Sequence, residues 1–341
     1  MANRQDLFPL IEVLRNGFVE SFHLGSAIIV DSDGTIIKGW GDYEMLIFPR
    51  SAVKMIQSLP LIESGALKSL GLGKEEVALA CASHQGSKYH ANKIKKWLSV
   101  IGLDKNDLKC GVQPPSASSD REILRKLEKS PSQLNNNCSG KHAGFLTVNK
   151  FLNFPQNYID VNHPLQKEIR NILSELSGEE IINYGMDGCS APNFMCSIKG
   201  LALAMAKFSC PRKLGAVRSK AINFARESMY MNPYLVAGKN RACTELMQAS
   251  QNPIIVKTGA EGVFLAAVPE KKVGIALKVF DGSSRASEAC IASILVRLGA
   301  LDQEHPLVKK RLFSEIKNWN GFQTGVVKPS TQFWENGSLI I

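Results

Sequence analysis

At 341 residues, with 44% hydrophobic and 21% charged side chains, the chain has the composition of a globular protein. That excludes disorder, collagen and coiled coil as descriptions of the whole, and a core of this size needs no disulfide or metal merely to fold. The excess of 41 Lys and Arg over 31 Asp and Glu gives a formal charge of +10, but the lysines are scattered and no finger, aromatic RNA-binding signature or basic arm accompanies them, so the expectation is an enzyme with a positive surface and no nucleic-acid or membrane partner.

The N-terminus carries Arg4, Asp6, Glu12 and Arg15 without a long apolar run, unlike a signal peptide. No later stretch approaches the ~20 apolar residues that span a bilayer. A cytoplasmic location is expected, and with it eight reduced cysteines. Ser26-Ala-Ile-Ile-Val30, the turn Asp31-Ser-Asp-Gly34 and Thr35-Ile-Ile37 predict a β-hairpin, with Gly34 supplying positive φ. Helices are predicted over 51–59, 87–101, 120–129, 140–152, 164–176, 197–207, 212–230 and 241–249. The densest basic cluster, Lys93, Lys95 and Lys96, falls on one of them. Strands follow at 253–257, 262–268 and 273–279, joined by short turns that imply antiparallel neighbours. A last helix is predicted over 284–298. The layout is α+β in one domain, 1–341. An antiparallel sheet is drawn from both chain ends, about 20–50 and 250–282, around a helical insertion over about 51–250. A cleft between the two regions is the expected place for chemistry.

Ser51 and Lys54 are three apart, so on a helix starting at Ser51 they share a face. A serine hydroxyl needs a base, and a desolvated lysine of lowered pKa can be one. Alone, the pair is common by chance and reads more simply as a helix cap beside a solvated lysine. Lys257-Thr258-Gly259 at the end of a predicted strand adds weight, because penicillin-recognising serine enzymes pair Ser-x-x-Lys with such a strand. Its glycine lets substrate approach the strand edge. Cys81-Ala-Ser83-His84-Gln-Gly86 offers Ser83 as a second hydroxyl in a proton relay, or as a helix cap.

Two polar, glycine-rich loops carry cysteines: Asn135-Asn-Asn-Cys138-Ser-Gly-Lys141-His142 and Tyr184-Gly-Met-Asp187-Gly-Cys189-Ser-Ala-Pro192. Cys138 and Cys189, with His142 and Asp187 close in sequence, suggest zinc, although no Cys-x-x-Cys pairing is present and buried thiols are the plainer alternative. Cysteines 81, 110, 196, 210, 243 and 290 read as core filler. His23, His90, His163 and His305 read as surface or capping groups.

Taken together, Pro49-Arg50-Ser51-Ala-Val-Lys54, Ala82-Ser83-His84, Asn137-Cys138-Ser-Gly-Lys141-His142-Ala-Gly144, Asp187-Gly-Cys189-Ser-Ala-Pro192 and Lys257-Thr-Gly-Ala-Glu-Gly262 resemble the Rhizobium etli-type L-asparaginases, the third structural class, also called the asparaginase II family. The resemblance implies a serine β-lactamase- and glutaminase-like fold, a homodimer, and hydrolysis of L-asparagine to L-aspartate and ammonia. It implies two serine-lysine tandems, Ser51 with Lys54 and Ser83 with Lys257. It also implies a zinc held by Cys138, Lys141 and Cys189, lined by Arg50, His142 and Asp187. The stretch between the two cysteine motifs is somewhat compact for the family. In chemical terms Ser51 would attack the amide, Lys54 or the Ser83–Lys257 pair would move protons, and backbone N–H groups near a helix start would hold the oxyanion. Arg50 and Asp187 have the signs needed to anchor an α-carboxylate and an α-amine. The rival readings are a penicillin-recognising hydrolase of another amide, disfavoured by the missing signal peptide, and a non-catalytic basic binding protein.

Overall fold

The computed structural model describes residues 7–335, so Arg4 and Asp6 lie outside the described residues. Its sheet has eight strands: β1 Phe8–Arg15, β2 Phe18–Asp31, β3 Ile36–Trp40, β4 Ile255–Thr258, β5 Val263–Val268, β6 Val273–Val279, β7 Ser314–Lys317 and β8 Gln323–Pro329. The order is β7-β8-β1-β2-β6-β5-β4, with β3 on β2, and every pair is antiparallel. Residues from both chain ends therefore lie side by side, Val273 opposite Asp31 and Val279 opposite Gly25.

The β2–β3 turn forms as its sequence dictates. The Asp31 carboxylate accepts the N–H groups of Asp33 and Thr35, both at 2.9 Å, and Gly34 takes φ +92°. Strands β5 and β6 are apolar in runs rather than in alternation, because both faces are buried between helices Ile198–Ser209 and Ser284–Arg297. Gly274 permits this packing: a Cβ there would lie 2.1 Å from Ala202 O.

Three strands extend the sheet beyond the stretches 20–50 and 250–282. β1 has a core-facing apolar run interrupted by Glu12, which Lys328 of β8 neutralises at 3.0 Å. β7 and β8 are largely polar and half-exposed, so no apolar alternation announces them. The predicted helix over 51–59 is broken into a 3-10 turn Arg50–Val53, a helical turn Lys54–Gln57 and a helix Leu59–Glu63. The apolar stretch 77–80 belongs to helix Lys74–Ala80, whose Glu76 carboxylate accepts Gly73 N–H at 2.8 Å. The other helices form close to their predicted places, among them Lys88–Val100, Ser139–Phe151, Pro164–Ser177 and Ala216–Met231. Among the described residues no helix is long and apolar enough to cross a membrane.

Candidate active site

The site begins where β4 runs past the Arg50–Val53 turn. A Cβ at Gly259 would sit 2.6 Å from Pro49 O and 3.3 Å from Ala52 Cβ, so only glycine lets the strand carrying Lys257 lie against the turn carrying Ser51. Arg50 itself has φ +53°, a left-handed conformation that costs a side-chain-bearing residue about 1–3 kcal/mol. Two anchors hold it there. Its N–H donates to Asn193 Oδ1 at 3.1 Å, and its Nε donates to Asp187 Oδ1 at 2.8 Å. Asn193 belongs to the short strand Pro192–Phe194, which pairs with Tyr184–Met186 and so brings the Asp187 loop to the Arg50 turn.

Lys54 and Lys257 are both fully buried and converge on one oxygen. Lys54 Nζ donates to Ala82 O at 2.5 Å, Ser83 Oγ at 3.1 Å and Cys138 Sγ at 3.1 Å. Lys257 Nζ donates to Ser83 Oγ and to Thr258 O, each at 2.8 Å. Ser83 follows the Lys74–Ala80 helix and is fixed by its own N–H on Val236 O at 2.9 Å. Burial and then the charge of Lys54 push Lys257 down to about 7, so close to neutral pH it is divided between ammonium and free amine. The tandem of Ser83 with Lys257 is thus present as a direct contact. Among the described residues the hydrogen bonds of Lys54 end on Ala82, Ser83 and Cys138, not on Ser51, whose side chain is half-buried at the turn.

Cys138 lies at the N-terminus of the helix Ser139–Phe151, where the helix dipole favours negative charge. Its N–H donates to Asn136 Oδ1 at 2.8 Å. Gly140 allows that helix to press on Lys74–Ala80, since a Cβ there would be 2.2 Å from Leu79 O. Cys189 is presented from a tight turn in which Ser190 takes φ +67° and donates to Asp187 O at 2.8 Å. Lys141 Nζ donates to Cys189 Sγ at 3.0 Å. The coupling of Cys138 to Cys189 pulls Cys189 well below the usual thiol range, helped by the charge on Lys141, and with burial pushes Cys138 up. Burial opposes the charge on Lys141, but Cys189, Cys138 and Asp187 outweigh it and hold the ammonium above its usual range. Negative charge in the thiol pair is thus favoured on Cys189, beside the Lys141 amine. Burial also opposes the charge of Asp187, yet Lys141 and Arg50 keep its carboxyl below the usual range. Burial, then Lys141, pushes His142 down to about 3, so its imidazole is neutral.

Two sulfurs and an amine within one buried cluster form a donor set suited to zinc. Among the described residues no group of three or more His, Cys, Asp or Glu could hold a metal ion; the Cys138–Lys141–Cys189 set differs in drawing one donor from lysine.

His84 is not a partner of Ser83. Its Nδ1 accepts Gly86 N–H at 3.0 Å, its Nε2 meets Ser139 Oγ at 3.1 Å, and that hydroxyl donates to Leu134 O at 3.1 Å. His84 therefore ties the Ser83 loop to the cysteine helix. Residues without a motif also serve the site: Asn193 on Arg50, Ala82 O on Lys54, and Tyr158, whose hydroxyl meets His142 Nδ1 at 3.0 Å. Asn193 directly follows the Cys189 loop motif, but Tyr158 stands in an unmarked segment. Beside Arg50 opens a groove of about 530 Å³, lined by Phe48, Met186, Asn193, Glu261, Lys278 and Phe280 among others.

A family model described as L-asparaginase II matches residues 11–329. A search of curated proteins found no match. Among solved structures, the chain is similar to Mglu in its native form, with 15% identity and a TM-score of 0.46 over 82% of this chain and 66% of that one. It is also similar to a putative beta-lactamase from Bacteroides dorei, with 11% identity and a TM-score of 0.43 over 80% and 93%. A Bacillus glutaminase gives 14% identity and a TM-score of 0.38 over 81% and 91%.

Proposed function

The chain belongs to the L-asparaginase II family, and we propose that it hydrolyses L-asparagine to L-aspartate and ammonia at the Ser51–Lys54–Ser83–Lys257 centre. The observation that carries this reading is Ser83 Oγ, held between two buried lysine amines at 3.1 and 2.8 Å. An amide has a poor leaving group, so the site must both remove a proton from the attacking hydroxyl and return one to the departing nitrogen. Lys257, about half neutral near pH 7, meets both needs in turn.

In the mechanism proposed, the Ser51 hydroxyl attacks the side-chain carbonyl carbon, and its proton passes to the amine of Lys257 through Ser83. The tetrahedral intermediate collapses as that ammonium protonates the nitrogen and ammonia leaves. Water then attacks the acyl-enzyme by the same relay, releasing aspartate. Arg50 faces the α-carboxylate and Asp187 the α-ammonium, each already ordered by their mutual bond at 2.8 Å. The groove beside Arg50 is the proposed entrance. We propose that Cys138, Lys141 and Cys189 hold one zinc, which when bound supplies positive charge beside the substrate. The reading also makes the protein a cytoplasmic homodimer, a compartment that keeps free thiols reduced; all eight cysteines are free.

A second assignment within the same site rests on the direct Lys257–Ser83 contact: Ser83, not Ser51, is the attacking hydroxyl. The decisive experiment measures ammonia release from L-asparagine, with L-glutamine beside it, for wild type, Ser51→Ala and Ser83→Ala. Peptide mass mapping after a reactive diazoketone analogue of asparagine then identifies the modified serine. No release from L-asparagine by well-folded, zinc-supplemented protein overturns the proposed substrate.

A further inference from the structure

We propose that Tyr158 is a positioning residue that locks His142 in the tautomer whose Nε2 turns a bare lone pair toward the Cys138–Lys141–Cys189 centre. Both side chains are fully buried. The Tyr158 hydroxyl has three neighbours: Lys109 N–H at 2.7 Å, His142 Nδ1 at 3.0 Å and Asp107 O at 3.4 Å. A phenol has one proton to give and two lone pairs to offer. Lys109 N–H takes one lone pair. Asp107 O can only accept, and among the described residues Tyr158 is the donor that reaches it. When the phenol proton goes to Asp107 O, the second lone pair is left for a proton on His142 Nδ1, and all three contacts are hydrogen bonds. When it goes instead to His142 Nδ1, Asp107 O loses its donor. His142 then carries an Nε2–H that is buried and makes no hydrogen bond among the described residues. Among the described residues Nε2 lacks a partner in either tautomer, so the Asp107 O contact is what separates them. The first arrangement is the one the geometry supports.

The surroundings keep Tyr158 in place for this task. Its ring packs edge-on against His142, with centroids 5.5 Å apart, and against Phe145, at 6.2 Å. Gln166 Nε2 donates to Tyr158 O at 2.7 Å. His142 directly follows Lys141 and stands one helical turn after Cys138, its N–H on Cys138 O at 3.0 Å, which places it beside the centre. With Nδ1 turned to Tyr158, the opposite nitrogen is the one available to an ammonium, a water or a metal there. Site histidines are commonly held through their second nitrogen in this way. The Asp107–Lys109 turn and Tyr158 thus form a support for the active centre that no motif marks. The catalytic consequence rests on the function proposed above; the tautomer does not.

The test uses chelator-treated protein labelled with ¹⁵N-histidine, in long-range ¹H–¹⁵N correlation spectra, with the His142 signals identified by their loss in His142→Ala. The expected result is one tautomer, Nδ1 protonated and Nε2 not, giving way in Tyr158→Phe to a mixture or to the opposite form. Tyr158→Phe keeps the ring and its packing. It is expected to lower kcat/KM for L-asparagine by about 10–100-fold, the range for losing the partner of a site histidine. The same change in a His142→Ala background is expected to cost nothing further. Nε2 protonated in the wild type overturns the proposal, as does a Tyr158→Phe loss that is undiminished without His142. Should wild type fail to release ammonia from L-asparagine, the proposed function falls, while the ring spectra still decide the tautomer.

Discussion

Lys257→Met separates what the site does for chemistry from what it does to the fold. Lys257 is fully buried, and its amine is pushed from 10.5 down to about 7, first by burial and then by Lys54. The folded protein therefore binds this proton more weakly than the unfolded chain does. Between pH 10.5 and 7 the unfolded state takes up the proton and the folded state does not, so stability falls as the pH falls through that window, and the penalty is complete below about pH 7. At about 1.4 kcal/mol per pH unit, the penalty near neutrality is on the order of 4 kcal/mol. Methionine has similar length and no charge. Its introduction removes the penalty but also the hydrogen bonds to Ser83 Oγ and Thr258 O, each about 1 kcal/mol net. Lys257→Met should thus be more stable than wild type by about 2 kcal/mol at pH 7, while ammonia release falls by about 10³-fold or more. Urea denaturation at pH 6.5, 8 and 9.5 provides the assay, and the variant's advantage should shrink as pH rises. A variant less stable than wild type throughout, or one whose advantage does not change with pH, would refute the idea that an unfavourably buried amine sits at this site.

The rate profile should follow the same group. A base must be neutral, so kcat/KM in wild type should rise through about pH 7. Lys54→Met should move that limb to higher pH, since both amines touch Ser83 Oγ and the lost charge no longer opposes protonation of Lys257; an unmoved limb counts against Lys257 as the base. Ser51→Ala and Ser83→Ala should each fold normally, judged by circular dichroism and thermal melting, and each lose about 10³-fold in turnover, because one supplies the attacking hydroxyl and the other the proton path; near wild-type turnover in either removes that residue from the mechanism. Zinc should be present at about one per chain and be lost in Cys138→Ser and Cys189→Ser but kept in Cys210→Ser and Cys290→Ser, by elemental analysis. Its binding at pH 7 should release about two protons, from Cys138 and Lys141, measurable by calorimetry in buffers of different ionisation enthalpy; release of none contradicts this ligand set. Gly259→Ala should lose at least about 10²-fold in turnover, because a 2.6 Å clash with Pro49 O forces the lysine strand away from the Ser51 turn; unchanged turnover would show that the two elements need not touch.

Much of this protein is written in local sequence. The Ser26–Ile37 hairpin was legible because Asp31 and Gly34 specify its turn and the flanking residues are β-branched. The strands over 253–279 and the helices of the insertion follow from apolar runs and helical spacing, which are properties of neighbouring residues. The motif residues that resemble the family were likewise visible one by one. β1 and the polar hairpin β7–β8 were not, because their places depend on the pairing of Ile11 with Pro329 and Arg15 with Gly325 across the length of the chain. The break at Arg50–Val53 was also hidden: it depends on Asn193 and Asp187, 143 and 137 residues away, holding Arg50 at positive φ. Within the site, spacing suggested Ser51 with Lys54 and left His84 without a partner. The tertiary structure instead places Lys54 and Lys257 on Ser83, and turns His84 to Ser139. Side chains three apart share a stretch of backbone, but which atoms meet is decided by where helices and strands from distant segments pack. Ser83 and Lys257 are 174 residues apart and touch because β4 is brought to the loop after the Lys74–Ala80 helix. The choice of Lys257 as the group of lowered pKa belongs to that packing too, since burial and a second buried ammonium exist only in the folded chain.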